Sequence, residues 1–503
     1  MSLNLASILF ESAKHHKDQV ALSCGVTYEG LAGRVACFAL FLRGKGVKPG
    51  DRVALMSENR PEFTVAYFAI LSVGAVVVPV STLLSYREVA FCLGHAQALA
   101  IIFSASVDQV VRESLTDVDH TPLMLSIEPL CEDFENETCA SVDNPFEPTA
   151  TEPDDTAVIF YTSGTTGQPK GAEVTHFNLY SNAQWVSERS LSHDSKVGEY
   201  WGPGHCTLAA LALSHSFGQT CMQNAPLLNG GCISYLSRFD ANTLAALLVK
   251  EQVTILAAVP RMIKELLELP DFSPESFIHF KYCLVGGAPI NQEIVEKFEA
   301  RFHVSVLEGY GLSETSPVIV FRTPAIPRKE GSVGRAIRGV EVCVVDDDGQ
   351  RLNAGDVGEI VVRGHAVMKG YYQDESATQE SIRDGWLHTG DVGYLDDEGD
   401  VFLVDRKKDI IIRNGYNIYP AEVELVLGAF PGVIESAVVG VADVKCGEEV
   451  KAFVVGDVDP NALRVFSRSQ LAAYKYPRII EIVTELPKGT KGQVLRRALR
   501  VSI

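Results

Sequence analysis

The chain has 503 residues, 46% hydrophobic and 21% charged, and its 44 Lys/Arg against 64 Asp/Glu give a formal net charge of −20. That length exceeds one ordinary core and points to two to four domains, while the composition excludes disorder, collagen and coiled coil as whole-chain descriptions. The acidic balance repels phosphate backbones and anionic lipid, so neither nucleic acid nor a membrane surface is expected as a principal partner.

The first residues reach an acid at Glu11 with no basic residue ahead of the apolar ones, so they do not read as a secretory signal. From residue 28 to about 104, helical-period stretches (30–44, 85–92) alternate with short β-branched runs (52–56, 75–80, 100–103), the pattern of parallel α/β layering. The most membrane-like stretch, 66–84, is interrupted by Gly74 and Pro79 and reads as a helix followed by a buried strand. No integral membrane association is therefore expected. Residues 132–155, rich in Asp, Glu, Pro, Thr and Asn, read as an exposed connection.

A second α/β stretch runs from 158 to about 320, with apolar runs at 157–161, 255–259, 282–285 and 304–307, each ending near Gly, Pro or a polar loop. Open parallel sheets place ligands at such ends. After Gly331 short strands with the turn signals Asp348-Gly349, Asp384-Gly385 and Glu398-Gly399 suit a small β-barrel or meander. Beyond Arg406 the acidic balance turns mildly basic, which marks a separate domain. The expected fold class is α/β. A large N-terminal domain, 1–405, would hold two sheet subdomains (1–155 and 156–330) and a barrel-like part (331–405), followed by a small mobile α+β domain at 406–503. Eleven cysteines without a C-x-x-C pair, and no histidine cluster at zinc-ligand spacing, suggest reduced, mostly buried thiols and a cytoplasmic protein.

One string carries specific chemistry. Tyr161-Thr162-Ser163-Gly164-Thr165-Thr166-Gly167-Gln168-Pro169-Lys170-Gly171 follows an apolar strand and packs three glycines, four Ser/Thr hydroxyls and a lysine into eleven residues. Glycines let backbone N–H groups turn toward an anion, and hydroxyls add donors. It is not a Walker A loop, because Lys and Ser/Thr do not directly follow the second glycine.

With this loop the chain resembles the adenylate-forming superfamily of acyl- and aryl-CoA synthetases, luciferases and adenylation domains, over residues 28–500. The resemblance implies activation of a carboxylic acid with ATP as an acyl-adenylate, then transfer to a thiol. Thr162, Ser163, Gly164, Thr165, Thr166, Gly167 and Lys170 would hold the phosphates, and Thr166 would also act in catalysis. Gly286-Gly287-Ala288-Pro289 resembles the adenine and acyl-pocket wall. In Glu308-Gly309-Tyr310-Gly311-Leu312-Ser313-Glu314-Thr315 the resemblance puts Tyr310 and Gly311 against adenine, Thr315 on the α-phosphate and Glu314 on Mg²⁺. That ion wants hard oxygen ligands. Asp391, in Trp386-Leu387-His388-Thr389-Gly390-Asp391, would accept from both ribose hydroxyls. Arg406, in Asp405-Arg406-Lys407-Lys408-Asp409, would join it at the ribose, with Lys408 as the hinge pivot. Gly415 falls where the family lets pantetheine pass, and the lid is expected to present one face for adenylation and another for thioester formation.

The terminal motif departs from the family. Leu486-Pro487-Lys488-Gly489-Thr490-Lys491-Gly492-Gln493 carries Gln493 where the resemblance expects the catalytic lysine. Gln donates a hydrogen bond but supplies no charge. An engineered change, rescue by Lys491 two residues earlier, or a natural protein weak in adenylation all remain open; the last includes a nucleotide- or acyl-adenylate-binding protein.

For the acid, Leu213-Ser214-His215-Ser216-Phe217-Gly218 lacks the carboxylate of amino-acid-activating relatives and resembles the string in which a histidine, here His215, borders the acyl carboxylate. A fatty acid is the expected substrate, with malonate (through Arg261) or an aryl acid as alternatives. Free coenzyme A is the expected acceptor, with Arg496, Arg497 and Arg500 available to its phosphates.

Overall fold

The computed structural model describes residues 2–128, 146–162, 168–187, 201–269, 274–288, 290–324, 326–346, 348–406, 411–418, 420–487, 494 and 496–501. The phosphate-loop residues Ser163, Gly164, Thr165, Thr166 and Gly167, together with Pro289, Lys408, Lys491 and Gln493, lie outside the described residues.

Two α/β sheets form the body. The first has seven strands in the order Gly370–Tyr371, Lys170–Thr175, Thr156–Thr162, Val76–Pro79, Arg52–Met56, Ala100–Phe103, Leu123–Ser126, and its central members are parallel. The second contains the parallel series Ser305–Gly311, Tyr282–Val285, Val253–Ala258, Cys206–Ala209, Cys232–Tyr235, Val20–Leu22. The sheets therefore interleave along the chain: strands 156–162 and 170–175 complete the first sheet, and strand 20–22 joins the second. The boundary expected at 155/156 separates two stretches of sequence rather than two sheets. Strand pairing is long-range, and local pattern does not encode it.

Ser305–Gly311 also pairs antiparallel with Val318–Phe321. Through that contact the second sheet continues into the β-rich part as Ser332–Ala336, Asp400–Arg406, Trp386–Leu395, Gly358–Gly364 and Val340–Val345. The body core is continuous across both sheets, from Leu5 and Phe38 through Tyr67 and Ile255 to Val401.

The C-terminal part has its own five-stranded sheet, with Gly447–Gly456 at its centre and Val433–Asp443 paired along it at the edge. Its own core holds Ile411, Ile418, Val423, Leu427, Val438, Val450 and Leu463. A separate core is what lets a domain move as a unit.

Helix Tyr86–Ala96, facing the C-terminal domain, opens with a capping box. Ser85 accepts from the Glu88 backbone N–H, and the Glu88 carboxylate accepts from the Ser85 N–H at 2.9 Å. Eight described cysteines carry free thiols, six of them buried. Cys37 is disulfide-bonded, which corrects the expectation of thiols throughout. Among the described residues no helix is long and apolar enough to cross a membrane.

Candidate active site

A cleft of about 360 Å³ opens at the C-terminal ends of Val253–Ala258, Tyr282–Val285 and Ser305–Gly311, where a parallel sheet leaves room between its loops. One wall is apolar, made by Leu211, Phe217, Phe239, Val259, Met262 and Leu284. The facing wall is polar and carries Thr162, Tyr310, Ser313 and Glu314. Gly415, Tyr416 and Tyr474 of the C-terminal domain form the roof.

The polar wall is already wired together. Tyr310 donates its hydroxyl to Asp391 Oδ2 at 2.7 Å, which joins the residues expected at adenine and ribose. Asp391 stands opposite Arg406 in the pairing of their two strands, so the expected ribose pair is brought together by backbone register. The turn before Asp391 is held by Glu359, which accepts from the Gly390 N–H at 3.1 Å and contacts His388 at 3.2 Å. Gly311 has to be glycine: a Cβ there would sit 1.7 Å from the Pro317 carbonyl oxygen.

Glu314 accepts hydrogen bonds at Oε1 from Thr162 Oγ1 and Tyr371 OH, each at 3.1 Å. No cation is ion-paired with it among the described residues. A carboxylate and a hydroxyl, both hard oxygen donors lining one cleft, fit Mg²⁺. Lys170 stands outside the cleft wall, its ammonium 5.1 Å from the Tyr371 ring centre. The strand leading into the phosphate loop is anchored by Tyr161, whose hydroxyl meets His95 Nδ1 at 2.8 Å.

His215 is exposed to the cleft that it lines, with the cleft walls surrounding it. That enclosure pulls its imidazole down to about 4, with the Lys475 charge adding to the effect, so it stays neutral near pH 7. Its ring meets Tyr416 edge-on at 5.7 Å, and Tyr416 stacks on Tyr474 at 4.3 Å. Gly415 lies at φ +81°, and a Cβ there would come within 2.8 Å of Val259 Cγ1, so a side chain would narrow the passage.

Two expectations are corrected. Thr315 does not face the cleft: it is fully buried, its one hydroxyl proton is shared between the Pro317 and Leu312 carbonyls at 2.7 and 3.0 Å, and it accepts from the Leu312 N–H at 2.8 Å. The short 3₁₀ turn Ser313–Thr315 rotates the third residue inward and leaves Ser313 on the cleft wall, 3.3 Å from the Ser216 hydroxyl. Ala288 is not on the wall either; Gly286 and Gly287 are.

Arg261 does line the cleft, but its Nε is bound to Glu265 Oε1 at 2.5 Å one helical turn on. Sequence reasoning missed Ser313, Tyr371, Tyr416 and Tyr474. The first sat inside a quoted motif, two positions from the residue chosen. The tyrosines come from separate segments whose convergence no local pattern announces.

The AMP-binding enzyme family matches residues 9–372, and its C-terminal domain matches residues 422–493. The long-chain-fatty-acid–CoA ligase of Bacillus subtilis is 34% identical, covering 98% of this chain and 94% of that protein. Feruloyl-CoA synthase of an Amycolatopsis species is 35% identical, covering 94% and 93%. Among solved structures, o-succinylbenzoate-CoA synthetase from Bacillus subtilis, a double mutant bound with its product analogue OSB-NCoA, superposes with a TM-score of 0.86 at 30% identity over 99% of this chain and 98% of that one. ATP-bound MatB from Rhodopseudomonas palustris superposes with a TM-score of 0.73 at 31% identity over 100% and 99%.

Proposed function

The chain belongs to the AMP-binding enzyme family as an AMP-forming acid–thiol ligase, and we propose that the acid it joins to coenzyme A is a monocarboxylate with an apolar tail, of the fatty-acid kind. The observation that carries the choice is the acyl wall. Arg261 is the one cation lining the cleft among the described residues, and its guanidinium is bound by Glu265. A second substrate carboxylate, as in malonate, would compete with Glu265 for that guanidinium, whereas a hydrocarbon tail meets Phe217, Phe239, Val259 and Met262 without such competition.

In the proposed cycle Asp391 and Arg406 fix the ribose, Tyr310 lies against adenine, and the loop 162–170 holds the phosphates. Glu314 with Thr162 would hold Mg²⁺, which supplies neutralisation of the leaving pyrophosphate. The substrate carboxylate attacks the α-phosphorus and pyrophosphate leaves. Neutral His215 then borders the acyl carbonyl as the CoA sulfur attacks it; the thiol proton is lost and AMP departs.

The orientation of the lid fits the second step, with Gly415 and Tyr416 facing the cleft. Eight described cysteines are free against Cys37 in a disulfide, and on that majority we place the enzyme in the cytoplasm.

The test is pyrophosphate release and thioester formation over a panel of saturated fatty acids, aryl acids and malonate, on this chain and on Gln493→Lys. Fatty acids should give the highest kcat/KM. Malonate in first place would overturn the apolar assignment, and aryl acids in first place would move it to a ring-shaped substrate. Nucleotide binding without release in both proteins would return the non-turnover reading left open by Gln493.

A further inference from the structure

Among the buried ionic groups that the cleft does not use, one spans the two domains. Lys475 of the C-terminal domain is 4% exposed, and its ammonium binds two carboxylates: Glu422 Oε1 of the same domain at 2.7 Å and Glu88 Oε1 of the body at 2.9 Å. Glu88 and Glu422 are themselves buried. Burial opposes the charge on Lys475, but Tyr474, Glu422 and Glu88 outweigh it and hold the ammonium well above the ordinary lysine range. Burial in turn pushes the Glu422 carboxyl up, against the pull of Lys475. A single cation thus bridges two domains that have separate cores, and the Ser85 hydroxyl, whose one proton is shared between Glu88 Oε2 at 2.8 Å and the Gln470 carbonyl at 3.0 Å, adds a second contact across the boundary.

We propose that Lys475 and Glu88 form a latch that holds the lid in the orientation for thioester formation, making both positioning residues for CoA transfer. This rests on the ligase reading above. The link to the chemistry is one residue long. Tyr474 precedes Lys475 and stacks on Tyr416, whose ring meets His215 in the cleft. Fixing Lys475 on Glu88 therefore fixes the roof over the reacting carbonyl.

The ion pair is specific to this orientation, since a rotation of the lid carries Lys475 and Glu422 away together and leaves Glu88 behind. Glu88 is prepared for that separation. Its other oxygen, Oε2, stays in the capping box with Ser85, at 2.9 Å from the backbone nitrogen and 2.8 Å from the hydroxyl. A buried charge pair deprived of one member is strongly penalised, whereas an exposed one is not, so at this depth the contact can bias the lid equilibrium.

The experiment starts from preformed acyl-adenylate, which bypasses any weakness caused by Gln493. One arm adds CoA and follows thioester and AMP; the other adds pyrophosphate with Mg²⁺ and follows ATP, in the parent and on a Gln493→Lys background so that the reverse rate is readable. Glu88→Gln keeps a capping-box acceptor and removes the charge. It should lower the thioester rate at saturating CoA at least tenfold, while ATP formation stays within twofold or rises. Lys475→Met should match it, and Glu422→Gln, which leaves the cross-domain bond, should cost less. Glu88→Gln slowing both arms equally, or neither, would overturn the latch. A parent that makes no thioester from acyl-adenylate would instead sink the ligase reading itself.

Discussion

The floor and the roof of the cleft are built by different physics. The floor comes from strand ends of the body, whose core runs unbroken from Leu5 to Val401, and its polar groups are tied by direct hydrogen bonds such as Tyr310 to Asp391 and Thr162 to Glu314. The roof comes from a domain with its own core and meets the floor through contacts such as the edge-on approach of Tyr416 to His215, the Lys475–Glu88 ion pair and the Ser85–Gln470 hydrogen bond. Such contacts reform without repacking a core, whereas strand ends cannot move without breaking the sheet. In the proposed cycle the nucleotide geometry would therefore stay fixed while the cover changes between the two half-reactions.

The comparison can be broken most directly at the floor. Asp391→Ala removes the acceptor of the Tyr310 hydroxyl together with the proposed acceptor of the ribose, so kcat/KM for ATP should fall about 100-fold, the order expected for losing charge-assisted hydrogen bonds. Unlike Glu88→Gln, it should depress both half-reactions measured from acyl-adenylate. A selective loss in the thioester arm alone would show that floor and roof are not separable in this way.

Acid sharpens the contrast. All twelve histidines lie at or before residue 388, so none belongs to the C-terminal domain. In the body, burial holds the His176 imidazole down at about 4, and its Nδ1 accepts from the Leu5 N–H at 3.0 Å, a bond that protonation there would abolish. The unfolded chain binds that proton near pH 6.5 and the folded one only near 4, so folding stability is intact above 6.5 and is lost as the pH falls toward 4. Between pH 7 and 5 this group should cost the body about 2 kcal/mol. Glu422, whose carboxyl is raised by burial, acts the other way and favours the folded lid as the pH falls. Domain-resolved hydrogen exchange under urea should show the body weakening over this range while the lid holds; equal weakening of both would refute the assignment.

The floor was far more legible in the sequence than the roof, because its parts are contiguous. The strings around Tyr310 and Glu314 line one cleft, and Asp391 is joined to them through the Tyr310 hydroxyl. What failed was phase within a string: a 3₁₀ turn decides which of Ser313 and Thr315 faces out, and composition does not encode that rotation. Sheet membership failed for the same reason at larger scale, since Val20–Leu22 pairs with a strand some two hundred residues away. Glu88 and Lys475 stand 387 positions apart with no motif between them, so only the folded chain discloses the pair.

The smallest expected effects concern that rotation. Ser313→Ala removes a hydroxyl from the cleft wall where the adenylate would lie, so KM for ATP should rise a few-fold, about the worth of one neutral hydrogen bond, with stability unchanged. Thr315→Val keeps the shape but strips the bonds to Leu312 and Pro317, so it should cost roughly 1–3 kcal/mol in urea unfolding and leave KM for ATP near the parent value. The two variants therefore split binding from folding, and either measurement alone is ambiguous. The reverse pattern, with Thr315→Val raising KM and Ser313→Ala only destabilising, would mean that the turn exposes its third residue to the nucleotide and that the original assignment of Thr315 to the α-phosphate stands.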